Sequence, residues 1–343
     1  MSRVAALLMA MFALCAFGCC HAMAEEPGVP TALGQKRDLE TQIAAALTRG
    51  LPIVEKAARN YPEHRNCFSC HHQTLPMLAM VAGRDRKLKV DVKLLRAQAE
   101  FSHHSFEVLQ KPMKQGHGVG GRAMTVGYGL WALALADWKA DSTTEAMVAY
   151  LLKTQEKDGR WTGQVARPPL EESALTATVL AVQGMKRFAV PGQRAQVEAA
   201  IAKAKGWLVV ASLQNQEDRV ARLWGLYLLG ARPEEIRSAQ AALLANQNED
   251  GGWSQTREMK SDAYATGQTL YLLQTTGLSA TDPACERGTR FLLKTQCPDG
   301  SWLVVTRSRP VQTYFDNGDP HGTNQFISIP ATSWAVAALA RAQ

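Results

Sequence analysis

The stretch Gln247-Asn-Glu-Asp-Gly-Gly-Trp253 recurs in related form at Gln155-Glu-Lys-Asp-Gly-Arg-Trp161 and at Gln296-Cys-Pro-Asp-Gly-Ser-Trp302. Each copy, here called an Asp-Gly-Trp turn, follows an apolar segment with helical spacing. The Asp-Gly pair is typical of a helix end, because glycine accepts a positive φ without steric cost. The tryptophan is expected to fold back over that end. A pattern repeated at a turn indicates a repeated unit, so the chain is predicted to be a helical repeat protein.

Segments rich in small residues alternate with these turns. When these segments are aligned with one another, one equivalent position is occupied by Thr125, Thr176, Arg222, Thr266 and Thr332. Most of the intervals are close to the roughly 45–50 residues of one helix hairpin with two loops, and the last is longer because residues 304–325 insert a loop. Small residues let helices approach closely, and strand patterns are nearly absent. We therefore predict an all-α fold with two helical layers that close into an α/α toroid around a cavity.

The three turns resemble the repeat of the squalene cyclase and protein prenyltransferase superfamily, over roughly Gly121 to Gln343. The stretches Ser261–Gln268 and Arg307–Ser328 are similar to an exported bacterial branch of that superfamily without a settled activity. The resemblance implies a terpenoid cyclase-like toroid over 121–343. An N-terminal helical segment is predicted over 25–120, and whether its helices complete the ring is left open.

The N-terminus has the pattern of a signal peptide. Arg3 precedes an apolar run from Val4 to Phe17, and Ala22-Met-Ala24 offers a small-residue cleavage site. Residues 1–24 are therefore predicted to be removed, which leaves a periplasmic or secreted protein. A lipoprotein anchored at Cys19 is the alternative.

Composition limits the partners. The 343 residues are 46% hydrophobic and carry a net charge of +7 that is spread thinly along the chain. Nucleic acid binding normally requires a dense basic patch, so no nucleic acid partner is expected. Contact with a membrane surface stays open, but a membrane span is not predicted after the signal peptide.

A Cys-x-x-Cys-His motif lies at Cys67, Cys70 and His71. In an exported protein it predicts covalent attachment of haem c, with two thioether bonds and an imidazole on the iron. The alternatives are a disulfide and a zinc site that adds His72 or another histidine. The candidates for the opposite iron ligand are His103, His104, His117 and Met77.

Squalene cyclases start their reaction with the central acid of an Asp-x-Asp-Asp motif at the start of an inner helix. The corresponding position here is Asp262, and Lys260 replaces the acidic neighbour, so the motif is not present. A lone aspartate at a helix start is also a good cap. The candidate acids are Asp262, Glu171 and Glu172, and whether the chain is an enzyme stays open.

Inner helices that begin at one rim bring their flanking polar groups together, as in many ligand sites. The predicted rim residues are Tyr264, Arg307, Tyr314, Asp316, Asp319 and His321. Two further cysteines, Cys285 and Cys297, are predicted to be buried apolar thiols.

These patterns favour an exported c-type haem protein whose toroid binds an apolar or isoprenoid-like molecule or a redox protein partner. The first alternative is a terpenoid cyclase-like or lyase-like enzyme without haem. The second is a non-catalytic interaction scaffold built from helical repeats.

Overall fold

The computed structural model describes residues 32–164, 166–309 and 313–342. The predicted signal peptide lies outside these ranges. The chain divides into two units after Asp38. The described part of the first unit is the beginning of one helix, and the architecture below is that of the second unit.

The described residues form thirteen α-helices and no strand, which confirms the all-α prediction. In chain order the helices are α1 (Ala32–His64), α2 (Leu75–Asp85), α3 (Val92–Glu107), α4 (Gln110–Lys114), α5 (Arg122–Leu135), α6 (Ser142–Thr154), α7 (Ala174–Phe188), α8 (Arg194–Val210), α9 (Gln216–Leu228), α10 (Pro233–Leu244), α11 (Ala263–Thr275), α12 (Pro283–Thr295) and α13 (Gln325–Arg341). A π-helical turn, Cys70–Thr74, precedes α2. Among these helices, none is both long and apolar enough to cross a bilayer.

Six helices form a closed inner ring. Helices α5, α7, α9, α11 and α13 each pack against the next, and α13 packs against α2, which contacts α5. Helices α3, α6, α8, α10 and α12 each pack against members of this ring from the outside. Helix α1 contacts the turn after α12. The predicted α/α toroid is confirmed, and the position of α2 shows that the N-terminal helices complete it.

The glutamine of each Asp-Gly-Trp turn joins neighbouring outer helices. In the third turn, the amide nitrogen of Gln296 donates to Gly300 O and to Ala46 O of α1, both at 2.9 Å. Gln155 and Gln247 bond in the same way to their own turn and to the next outer helix. The third turn thus connects the end of the chain to α1.

The glycine in each turn has the predicted positive φ, which is 97° at Gly300. A Cβ atom on Gly300 would lie 2.4 Å from the carbonyl oxygen of Arg49 on α1. Both the backbone conformation and the close approach of α1 therefore require glycine at this position.

The tryptophan of each turn is fully buried. The indole N–H of Trp302 donates to Leu292 O at 2.9 Å, and its backbone N–H donates to Thr332 Oγ1 at 3.1 Å. Trp161 and Trp253 make equivalent bonds. Each tryptophan thus fastens the end of an outer helix to the start of the following inner helix.

Candidate functional site

The inner helices begin at the rim that carries the Asp-Gly-Trp turns. Asp262 caps α11, because its Oδ1 accepts the backbone N–H of Ala265 at 2.9 Å. Its Oδ2 accepts from the amide of Gln255 at 2.9 Å. Burial nevertheless raises the pKa of Asp262 to about 6. Asp262 is therefore a helix cap, and it lines neither of the two cavities described next.

The Cys-x-x-Cys-His segment enters the ring just before α2. The hydroxyl of Thr74 donates to Tyr128 O of α5 at 3.0 Å, and Gln73 contacts Gln98 of α3 at 3.4 Å. Single π-helical turns are common at functional sites. Here the turn between Cys70 and Thr74 presents adjacent side chains to two cavities.

These two cavities have volumes of about 290 Å³ and 120 Å³. His71 and Arg167 line both of them, so the cavities adjoin at these two side chains. The larger cavity is also lined by Tyr61, Cys67, Cys70 and Glu171, and the smaller by His72, Tyr314, Phe315, Gln325 and Phe326.

Glu171 forms a buried ion pair with Arg167. Arg167 binds its Oε2 through Nε at 2.9 Å and also through a second guanidinium nitrogen. Oε1 accepts a hydrogen bond from the thiol of Cys70 at 3.3 Å. Burial and the adjacent Glu171 raise the pKa of Cys70 well above its usual value. Cys70 therefore stays a thiol, and its hydrogen bond to Glu171 lies in the wall of the larger cavity.

His71 stays neutral at physiological pH. Burial, together with His72 and Arg167, lowers its pKa well below the usual value. Its Nδ1 lies 3.1 Å from the hydroxyl of Ser69, and its ring contacts the edge of Phe326 with centroids 4.5 Å apart. A neutral imidazole provides one hydrogen-bond donor and one acceptor.

His72 connects the motif to the insertion over residues 304–325. Its Nε2 accepts from the amide of Asn317 at 2.5 Å, and its ring stacks on Tyr61 at 4.5 Å. Burial lowers the pKa of His72 to about 3, so it also stays neutral. Sequence reasoning missed Asn317, and the neighbouring acidic residues of the insertion gave no signal for it.

The candidates for a second iron ligand do not reach the cavities. His103 binds Asp141 at 2.8 Å and stacks on Trp138. His104 and His117 are exposed on the surface, and Met77 is buried in the core. None of these four side chains lines either of the two cavities.

The predicted rim residues are dispersed. Tyr314 lines the smaller cavity. Arg307 binds Gln255 at 2.8 Å and lies 3.7 Å from Glu172. Asp316 accepts the backbone N–H of Gly318 in a turn. Asp319 is buried and accepts the backbone N–H of His321, whose ring contacts the hydroxyl of Ser301.

Tyr264 is buried inside the ring, and its hydroxyl donates to Glu217 at 3.1 Å. Thr176 and Gln268 donate to the same carboxylate at 2.9 and 3.2 Å. Burial raises the pKa of Glu217 to about 7 despite these three donors. Glu217 was missed as a site residue, although its segment was recognised as a divergent member of the inner-helix series.

The four described cysteines are free thiols. Cys285 is buried, as predicted, but Cys297 is partly exposed because it lies in the third turn at the protein surface. Within the described residues, three potential metal ligands converge within 4.8 Å only at Cys297, Asp299 and His321. Cys67 and Cys70 do not form such a group with the adjacent histidines.

Comparison with known proteins identifies the fold. No protein-family model and no curated protein matches the chain. A single-residue variant of type II terpene cyclase MstE from Scytonema, in complex with its product merosterolic acid A, is 16% identical with a TM-score of 0.56, covering 89% of this chain and 98% of that one. The chain has the terpenoid cyclase-like α/α toroid fold.

Two further solved structures share this toroid. A second variant of MstE, in complex with its substrate geranylgeranyl dihydroxybenzoate, is 17% identical with a TM-score of 0.55, covering 89% of this chain and 98% of that one. A possible member of the GH105 family from Salmonella enterica serovar Paratyphi A is 13% identical with a TM-score of 0.52, covering 88% and 93%. The toroid is thus shared by proteins with different descriptions, and function must be argued from the site.

Proposed function

We propose that the chain is a lyase-like acid–base enzyme that acts on a small, mainly apolar molecule bound in the two adjoining cavities. The observation that carries the proposal is the ion pair of Glu171 with Arg167, which lies beside neutral His71 where the cavities meet. Titratable groups with displaced pKa values around a cleft are characteristic of active sites.

Glu171 is the general base in this mechanism. It accepts a proton from a ligand carbon next to a carbonyl group. His71 donates a ring N–H to the carbonyl oxygen, on which the negative charge develops. Arg167, which pairs with the carboxylate before the transfer, then stabilises the enolate. The enolate either regains a proton from Glu171, which gives exchange, or expels a leaving group from the neighbouring carbon as a carbon–carbon double bond forms, which is the lyase reaction. Because the imidazole stays neutral, it acts as a hydrogen-bond donor without transferring its own proton.

The cavity walls favour a compact apolar ligand. Phe315, Phe326 and Tyr314 supply aromatic surface in the smaller cavity. The cavities measure 290 Å³ and 120 Å³, so a ligand that fills both would be at the small end of the typical range of about 300–1,000 Å³ for small-molecule sites. MstE, which shares the fold, binds an apolar substrate in the form of geranylgeranyl dihydroxybenzoate.

Proton abstraction can be measured as deuterium exchange. The protein is incubated in heavy water with a library of compact aromatic and branched aliphatic ketones and esters, and incorporation is measured by mass spectrometry. We expect at least one compound to gain deuterium next to its carbonyl group. Glu171→Gln should slow this exchange by about 10²–10⁴-fold, because the base is lost.

The matched control is Glu172→Gln. Glu172 is the next residue, pairs with Arg307 and lines neither cavity. This variant should exchange at the rate of the unmodified protein. An equal loss in both variants, unchanged exchange in Glu171→Gln, or no exchange with any compound would contradict the proposal.

The second candidate function is that of a c-type haem protein. Cys67 and Cys70 are free thiols and line the larger cavity together with His71. This donor set fits haem c, which Cys67 and Cys70 would hold by thioether bonds and His71 through its neutral imidazole. When bound, haem would supply one-electron transfer. None of the four residues predicted as further iron ligands, His103, His104, His117 and Met77, lines this cavity.

A visible spectrum tests this candidate. The exported full-length chain, coexpressed with haem-maturation machinery, should show a Soret band that survives acid-acetone extraction. The band should be lost in the double variant Cys67→Ser/Cys70→Ser and kept in Cys297→Ser, because only the first two thiols would form thioether bonds. Absence of the band from the exported chain removes haem as a candidate.

A further inference from the structure

The third Asp-Gly-Trp turn differs from the second in its side chains at one corner, which is the group formed by Cys297, Asp299 and His321. In the second turn, Ser261 Oγ accepts from Asn248 and donates to Asp250, both at 2.8 Å. The third turn has Cys297 and Asp299 at the corresponding positions. The carboxylate is therefore common to both turns, and the third turn has a thiol where the second has the amide of Asn248.

The insertion over residues 304–325 brings a histidine to this corner. The Sγ atom of Cys297, a carboxylate oxygen of Asp299 and a ring nitrogen of His321 lie within 4.8 Å of one another. The buried hydroxyl of Ser301 donates to Asp299 Oδ1 at 2.5 Å and contacts His321 Nε2 at 2.7 Å. The Ser301 hydroxyl thus bridges the imidazole nitrogen and the carboxylate.

A second carboxylate lies behind the histidine. Asp319 is 4% exposed, and its Oδ1 accepts the backbone N–H of His321 at 2.9 Å. Its Oδ2 is buried and has no hydrogen-bond partner among the described residues. A buried carboxylate oxygen without a partner is costly, and a cation at the adjacent corner would offset part of that cost.

We propose that this corner binds one zinc ion through Cys297, Asp299 and His321, with a fourth position occupied by water. Thiolate, imidazole and carboxylate are the ligands that zinc prefers, at about 2.0–2.3 Å from the metal. Binding converts the thiol of Cys297 to a thiolate and releases its proton to solvent. The Ser301 hydroxyl turns away from His321 and keeps its bond to the carboxylate. This site does not depend on the reaction proposed for Glu171.

Zinc at this corner fastens the base of the insertion to the third turn. The same insertion carries Phe315, which lines the smaller cavity, and Asn317, which bonds His72 at 2.5 Å. Metal binding therefore stabilises the segment that forms one wall of that cavity. Removal of the ion should make residues 304–325 easier to cleave in limited proteolysis.

Cobalt substitution tests the site without an activity assay. The metal-free full chain is titrated with Co²⁺, which gives a thiolate-to-metal charge-transfer band when a cysteine coordinates it. We expect about one ion per chain, displaced by Zn²⁺, with release of about one proton per thiolate formed. Cys297→Ser should remove the band, and His321→Gln should weaken Zn²⁺ binding by at least about 100-fold.

Two controls separate this site from its alternatives. The double variant Cys67→Ser/Cys70→Ser should keep the charge-transfer band, which excludes a zinc site at the Cys-x-x-Cys-His motif. Ser301→Ala should keep the band because it removes no metal ligand. The proposal is overturned if the unmodified chain binds no Co²⁺ or Zn²⁺ at micromolar concentration. It is also overturned if the band survives in folded Cys297→Ser or disappears with Cys67 and Cys70.

Discussion

Replacing Trp302 with alanine should lower the free energy of unfolding by about 3–5 kcal/mol. The side chain is fully buried, and its indole N–H donates to Leu292 O at 2.9 Å. The substitution leaves a cavity and removes the shorter of two side-chain hydrogen bonds to the Leu292 carbonyl, at the turn that joins α12 to α13. Gln296 in the same turn donates a hydrogen bond to α1, so the substitution also weakens the contact between α12 and α1. Urea denaturation followed by circular dichroism measures the effect.

The neighbouring Leu303 provides the control for this prediction. Leu303 is 49% exposed, so Leu303→Ala should change the free energy of unfolding by no more than about 0.5 kcal/mol. Trp302→Phe keeps most of the buried ring but removes the N–H donor, and it should cost less than Trp302→Ala. A loss below about 1 kcal/mol for Trp302→Ala would show that the turn does not stabilise the ring.

Glu217→Gln should remove a pH dependence of stability worth about 3 kcal/mol. Burial raises the pKa of Glu217 from 4.5 to about 7 in the folded protein. Between these two values the folded state binds more protons than the unfolded state. The contribution of Glu217 is therefore fully present below pH 4.5, and it is lost as the pH rises toward 7. Glutamine does not titrate, so the variant lacks this decline.

The measurement is the difference in free energy of unfolding between variant and unmodified protein from pH 4 to 8. His71 and His72 titrate in the opposite direction, but they are present in both proteins and cancel in the difference. A flat difference for Glu217→Gln would mean that Glu217 ionises normally in the folded state.

Much of the fold could be predicted because its signals are local. Gly300 needs a positive φ, and Trp302 covers the helix end beside it, so both are recognisable within one short pattern. Repetition of that pattern predicted the hairpins, and small residues predicted the inner layer. That α2 closes the ring against α13 could not be predicted, because the N-terminal helices lack an Asp-Gly-Trp turn.

The candidate site could be predicted only in part. Cys67, Cys70 and His71 line one cavity, and their proximity follows from their spacing in the sequence. Glu171 was a candidate acid, and its pairing with Arg167, on which the proposed role as base rests, could not be predicted from the sequence. The roles of Asp262 and Glu217 depend on how deeply each carboxyl group is buried, which cannot be predicted from the spacing of residues in the sequence.

By itself, the sequence determined the helical repeat, its turns and the presence of a Cys-x-x-Cys-His segment, because these depend on backbone conformation and on short-range spacing. Only the tertiary structure decided which distant groups meet, such as His72 with Asn317 and Cys297 with His321. Contacts of this kind arise when the ring closes and the insertion folds over its rim. The same closure excludes water, and this desolvation sets the protonation states of His71, Cys70 and Glu217.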